Sequence, residues 1–136
     1  MNSSPDERVI LASGSTVRRN MLCQVGLDIV VAASSLDESV IKTAAMAHKV
    51  APRNLAVQLA VAKAAAVGRD YRGDWIIGAD QVLAFGKVLI DKAGNPEEAQ
   101  KTLDKLSGQC HELHTAVCVM RDATVLWCYV DTAKLW

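Results

Sequence analysis

The chain's own patterning predicts an α/β fold with a mixed sheet, on three observations. Strand-like apolar runs alternate with helical segments through the first two thirds of the chain. Two β-rich stretches then follow each other directly, as hairpin arms do. The length of 136 residues, 51% of them apolar, is enough for one domain with a sizeable core and short for two.

The first element is the apolar run Val9-Ile10-Leu11-Ala12, which reads as a buried strand. Ser13-Gly14-Ser15-Thr16 reads as a tight turn supplying a helix N-cap, and residues 17–26 read as a helix stopped by Gly26. Residues 28–33 form a short second strand, and residues 36–49 are helical in part. Residues 51–68, APRNLAVQLAVAKAAAVG, are a long helix with Pro52 in its first turn and Gly68 at its end. Asp74-Trp75-Ile76-Ile77 is expected as a strand closed by Gly78-Ala79-Asp80. Residues 81–90 are expected as a hairpin turning at Phe85-Gly86-Lys87. Asn95-Pro96-Glu97-Glu98 caps a helix that runs to Leu106 and stops at Ser107-Gly108. Residues 112–120 and 124–134 are strands joined through Arg121-Asp122-Ala123. The chain stops at Leu135-Trp136 inside a strand pattern, which suggests part of a longer domain.

Composition narrows the function. Fifteen basic and fifteen acidic residues balance, and aromatics make up 4%, so a nucleic-acid surface is disfavoured and any anion site must be local. Cys23, Cys110, Cys118 and Cys128 include no C-x-x-C pair, which suits reduced, packed thiols better than a disulfide framework or a zinc site. The opening MNSSPDER lacks the basic and apolar regions of a signal peptide, and no run approaches the ~18 apolar residues of a membrane span. A cytoplasmic protein without membrane contact is the expectation.

Arg18 and Arg19 pose a question. They fall in the first turn of a helix whose unpaired N–H groups and macrodipole already make that end positive. One reading is an ordinary N-cap with solvated arginines. The other is an anion site, in which backbone N–H groups, the hydroxyls of Ser13 and Ser15 and the Arg18 guanidinium meet phosphate oxygens. It is not a P-loop, since no Gly-Lys-Ser/Thr follows. Asp80, after an apolar strand and Gly78, is either a turn residue or a carboxylate at a strand end, where it can hold a divalent ion or take a proton from water. Lys63 interrupts the i+4 row of Leu55, Leu59 and Val67. It either snorkels at the edge of that face or sends an ammonium into a cleft to meet an anion. Glu38 either favours a helix N-terminus or joins Asp80 as a second carboxylate, and Lys92 lies in a loop where lysines are ordinarily solvated. His111, Glu112 and His114 form H-E-x-H, whose histidines would face opposite sides of a strand, so zinc is set aside. Cations and carboxylates at element ends are the set a polyphosphate substrate requires.

At these residues the chain resembles the Maf-type nucleotide pyrophosphatases. LASGSTVRRNML (11–22) is similar to their L-A-S-x-S-P-R-R signature, LDES (36–39) to their acidic V-D-E, and WIIGADQV (75–82) to their I-x-G-A-D strand end. The lysine in LAVAKAAAV, the lysine after the next strand, and LSGQCHELHTAV (106–117) follow in the family's order. The resemblance implies a Maf/inosine-triphosphatase-like domain over residues 1–136, a twisted mixed sheet flanked by helices, lacking the C-terminal part of the family. It implies a cytosolic enzyme that splits a nucleoside triphosphate into monophosphate and pyrophosphate with a divalent cation, Mg²⁺ or Mn²⁺. Such enzymes are linked to removing non-standard nucleotides and restraining cell division, and they commonly form homodimers. Carried over, Asp80 is the base or metal-linked carboxylate, Glu38 assists with the metal, and Ser13, Ser15, Arg18, Lys63 and Lys92 hold the triphosphate.

The departures concern specificity and extent. Where the family has P-R-R, this chain has Thr16-Val17-Arg18, and the position after G-A-D is Gln81. Members acting on dTTP and UTP carry arginine and threonine at those places. Gln81 is similar to members acting on 7-methyl-GTP, although those tend to carry a large aromatic at the position of Val17. Family members run about a third longer and include a D-K-A-G-x-Y-x-I-Q-G segment, which Asp91-Lys92-Ala93-Gly94 does not represent. The leading expectation is therefore a nucleoside triphosphate pyrophosphatase of open base preference. The alternatives are a 7-methyl-GTP-preferring enzyme, or a truncated homologue that binds nucleotide or protein with little catalysis.

Overall fold

A computed structural model describes residues 8–86, 88–90 and 95–136. The elements run β1 (Val9–Ala12), α1 (Thr16–Gln24), β2 (Ile29–Val31), α2 (Glu38–Ala47), α3 (Pro52–Gly68), β3 (Trp75–Phe85), β4 (Val88–Ile90), α4 (Pro96–Leu106), β5 (His111–Arg121) and β6 (Thr124–Leu135). Six strands form one mixed sheet in the order β2-β1-β3-β5-β6, with β4 added beside β3. The β2, β1 and β3 strands are parallel, while β3 to β4, β3 to β5 and β5 to β6 are antiparallel. The predicted α/β class with a mixed sheet is what the chain forms. No helix among the described residues is long and apolar enough to cross a membrane.

The core lies between one face of this sheet and α3. Leu55, Ala56, Leu59, Ala60, Ala64 and Val67 of the helix pack against Ile10, Ala12, Ile76, Val82, Ala116, Cys118 and Met120. Alternating burial along β3 and β5 places every second side chain on that face. The three alanines keep the contact side of α3 low, so its backbone comes very close to the sheet. A Cβ on Gly78 would collide with the Ala60 carbonyl oxygen and lie 2.8 Å from the Ala64 methyl.

That contact corrects the expectation for Gly78-Ala79-Asp80. These residues do not close a strand, because β5 supplies ladder partners without a break from Ile76↔Met120 to Ala84↔Glu112. Gly78 serves close helix–sheet packing rather than a sharp turn, and Asp80 sits within an 11-residue strand. The expected hairpin at residues 85–87 is present as β3–β4, with Phe85 opposite Val88 and Gly86 at φ +60°, while Lys87 lies outside the described residues. Asp122 and Ala123, both at positive φ, make the two-residue β5–β6 turn, matching the right-handed twist of the arms. Among the cysteines only Cys118 is buried; Cys23 and Cys128 are exposed, so the expectation of packed thiols holds for one of them and not for those two.

Candidate active site

The cleft begins where the sheet ladder is interrupted. The β1 strand ends at Ala12, opposite Gly78, and β4 joins β3 only from Leu83 onward. Between these points one edge of β3 has no strand partner among the described residues. Asp80 lies in this interval. It is thus just past the end of the parallel β1–β3 pairing, the place where open α/β sheets present ligands. The residue is buried, and its side chain shares the face of Ile76 and Val82, directed toward α3.

From α3, Lys63 reaches the same place. Its ammonium lies 2.7 Å from Asp80 Oδ1 and 2.6 Å from Glu38 Oε1. Leu55, Leu59 and Val67 of its i+4 row are buried in the core, so the row is interrupted where Lys63 meets the two carboxylates. Burial opposes the ammonium, but the hydrogen bonds and charges of Asp80 and Glu38 outweigh it, so Lys63 holds its proton more tightly than an ordinary lysine. Glu38 is free to face Lys63 because Asp37, not Glu38, caps α2. Asp37 Oδ1 accepts from the Ser39 hydroxyl at 2.6 Å and the Ser39 backbone N–H at 3.0 Å, which holds its carboxyl below the usual range.

The opening turn supplies a second cation, Arg18. Ser15 is the N-cap of α1, its Oγ accepting the Arg18 backbone N–H at 3.3 Å. Buried Ser13 accepts the Ser15 N–H at 3.1 Å and Arg18 Nη1 at 3.1 Å, and Arg18 Nη1 also donates to the Ala79 carbonyl at 3.3 Å. The guanidinium is thereby drawn across the helix N-terminus to the backbone beside Asp80. Arg19 instead lines a separate shallow depression with Thr16 and Ile29.

Arg18, Glu38, Asp80 and Gln81 line one cleft of about 460 Å³, with Leu55, Leu83, Leu89, Ile90 and Leu113 among its apolar walls. Lys42 lines it as well and was missed in the sequence, although it stands one helical turn after Glu38 on the same face. Val17 is exposed on α1 and is not among the cleft's lining residues. Lys92 lies outside the described residues. Gln81 donates from its side-chain amide to Thr115 Oγ1 at 3.3 Å. Glu38 and Asp80 are an all-oxygen donor pair of the kind that suits a hard divalent cation such as Mg²⁺ or Mn²⁺. Among the described residues no group of three or more His, Cys, Asp or Glu converges, so water and ligand oxygens would complete the coordination of such a cation. His114 is buried elsewhere in the polar chemistry, against Thr132 Oγ1 at 2.8 Å and Glu112 Oε2 at 3.2 Å.

The chain has relatives among known proteins over nearly its whole length. The chain is 37% identical over 129 residues to a 7-methyl-GTP pyrophosphatase of Mesorhizobium japonicum, covering 95% of this chain and 65% of that protein. It is 41% identical over 127 residues to a nucleoside triphosphate pyrophosphatase of Caulobacter vibrioides, covering 93% and 63%. The chain therefore spans a little under two thirds of the length of these relatives. Among solved structures, a nucleoside-triphosphatase / dITP/XTP pyrophosphatase of Mycobacterium abscessus superposes with a TM-score of 0.60 at 14% identity, over 93% of this chain and 71% of that one. A HAM1 protein of Coxiella burnetii gives 0.58 at 14% identity, over 94% and 70%. At that identity the likeness is one of fold. The Maf-like protein profile matches residues 8–136, nearly the whole chain, and the chain belongs to that family.

Proposed function

We propose that the protein is a nucleoside triphosphate pyrophosphatase, releasing a nucleoside monophosphate and pyrophosphate. The observation that carries the reading is the convergence of Lys63 on Asp80 and Glu38, two carboxylates that line one cleft with Arg18 at the gap in the sheet. A site that only bound an anion would gain nothing from two carboxylates, which repel phosphate. Here they fit the handling of a proton and of a hard cation. Relatives over most of this chain carry the pyrophosphatase name.

In this mechanism Asp80 takes the proton of a water that attacks the α-phosphorus. The new P–O bond forms as the bond to the bridging oxygen breaks, and pyrophosphate leaves with the electron pair. Arg18 meets phosphate oxygens in the fork geometry of a guanidinium, with Ser13 and Ser15 fixing its turn. Lys63 and Lys92 add charge. A divalent cation held by Glu38 and Asp80 would supply neutralisation of the phosphate charge. The protein would work in the cytoplasm.

The test is pyrophosphate release by the purified chain with Mg²⁺ or Mn²⁺ over dTTP, UTP, CTP, GTP and 7-methyl-GTP. Turnover is expected, and Asp80→Asn is expected to reduce it by about 10²–10⁴-fold. Wild-type turnover in Asp80→Asn would remove Asp80 from its role, and silence of the folded wild-type chain over the whole panel would overturn the activity. A second reading, preference for 7-methyl-GTP, is favoured by Gln81 in the cleft and by several relatives bearing that name. It requires 7-methyl-GTP to give the highest kcat/KM of the panel.

A further inference from the structure

Two carboxylates directed at one point repel each other, and a cation between them offsets that repulsion. In this chain the protein supplies that cation itself. Lys63 Nζ makes contacts of 2.6 and 2.7 Å with one oxygen of Glu38 and one of Asp80. Its side chain is 18% exposed, against 11% for Asp80 and 34% for Glu38, so the pairing is sheltered but not sealed from solvent. Its aliphatic stem leaves a helix fixed in the core by Leu59, Ala60, Ala64 and Val67, and only the flexible end of the side chain can move.

We propose that Lys63 is a resident counter-ion of the Glu38–Asp80 pair, which competes with the divalent cation for the two carboxylates and is released toward substrate phosphate when that cation binds. The inference rests on the reading of Glu38 and Asp80 as the metal-holding pair. The physical reason is charge. An ammonium and a divalent cation held against the same two oxygens stand at contact distance and repel each other. Arg18 does not face this competition, because its Nη1 is held by the Ser13 hydroxyl and the Ala79 carbonyl rather than by a carboxylate. The two cations therefore have different duties. Arg18 stands ready for phosphate from the outset, and Lys63 becomes available only once the carboxylates are otherwise neutralised. Phosphate would then meet its full set of cations only in the metal-loaded site.

Two measurements without nucleotide test this. The first is the Mn²⁺ affinity of the wild-type chain and of Lys63→Met, by calorimetric titration. Removing the competitor is expected to tighten binding on the order of tenfold or more. Unchanged or weaker binding in Lys63→Met overturns the proposal. The second is a crystal structure of the wild-type chain with Mn²⁺, located by its anomalous signal. Lys63 Nζ is expected beyond hydrogen-bond distance of Glu38 and Asp80. An ammonium still bridging both beside the bound ion overturns the proposal even if the variant fails to fold, as does the absence of an ion between the carboxylates. Neither measurement uses turnover, so an inactive chain whose lysine yields to Mn²⁺ would refute the pyrophosphatase reading alone.

Discussion

Lys63 and Arg18 meet the same cleft from helices of opposite character. The α3 helix buries six residues against the sheet, and nothing about its position is adjustable. The α1 helix buries none, and Val17 and Met21 on it are exposed. Lys63 is therefore placed by core packing, and Arg18 by a short chain of hydrogen bonds through Ser13, Ser15 and the Ala79 carbonyl. A charged group in a site can be fixed globally or locally. The two modes should fail differently: damage to the α3 side unfolds the protein, whereas damage to the α1 side leaves it folded with a loosened site.

The strongest way to break that contrast is at Gly78. Gly78→Val would drive a branched side chain into the backbone of α3, and Leu59→Ala would open a cavity under it. The loss for Leu59→Ala is expected at about 2–5 kcal/mol in urea unfolding, with Gly78→Val at least as severe. If Gly78→Val left the midpoint unchanged, the close approach of α3 to β3 would be wrong.

A pH titration of stability sharpens the α3 side next. Burial is the main cause that pushes the Cys118 thiol up from 9.0 to about 11, with Cys128 across the ladder adding to it. The native state therefore keeps the proton while the unfolded chain gives it up above pH 9, so stability falls as pH rises from about 9 to about 11. Cys118→Ala is expected to flatten this part of the profile on the order of 2 kcal/mol relative to wild type. An equally steep decline in the variant would assign the loss to other groups.

On the α1 side the effects should be smaller in stability and larger in binding. Ser15→Ala removes the cap of a helix with no buried residue, which is expected to cost about 1 kcal/mol locally with little change in the global melt. Ser13→Ala removes one acceptor of Arg18 and is expected to raise KM for the nucleotide more than it lowers kcat. A global loss as large as that of Leu59→Ala would mean that α1 is part of the core after all. Smallest of all, Lys101→Ala on the exposed side of α4 should change stability by no more than about 0.5 kcal/mol in either direction.

Much of this was legible in the residues. Local chemistry states itself: Ser15 and Asn95 cap their helices, Gly26 takes the left-handed turn that ends α1, and Pro52 opens α3. The lysine breaking an apolar row was visible too, because a 3.6-residue period exposes any misfit in it. Less legible was the β3 strand, where a Gly followed by an Asp reads as a turn. The signal that overrides it is a long antiparallel partner more than thirty residues away. Lys42 was equally illegible, since only the packed position of α2 turns it to the cleft.

The sequence by itself determined which segments become helices and strands, where most of them stop, and which charged residues stand out of pattern, because each of these follows from backbone sterics and hydrogen bonding within a few residues. Only the tertiary structure decided that Gly78 is a packing residue, that Asp80 lies in a gap between β1 and β4, and that Lys63 meets two carboxylates before any phosphate. Those facts depend on contacts such as Lys63 with Asp80, 17 positions apart, and Ala12 with Gly78, 66 positions apart, and a short-range code carries no record of which distant partner will arrive.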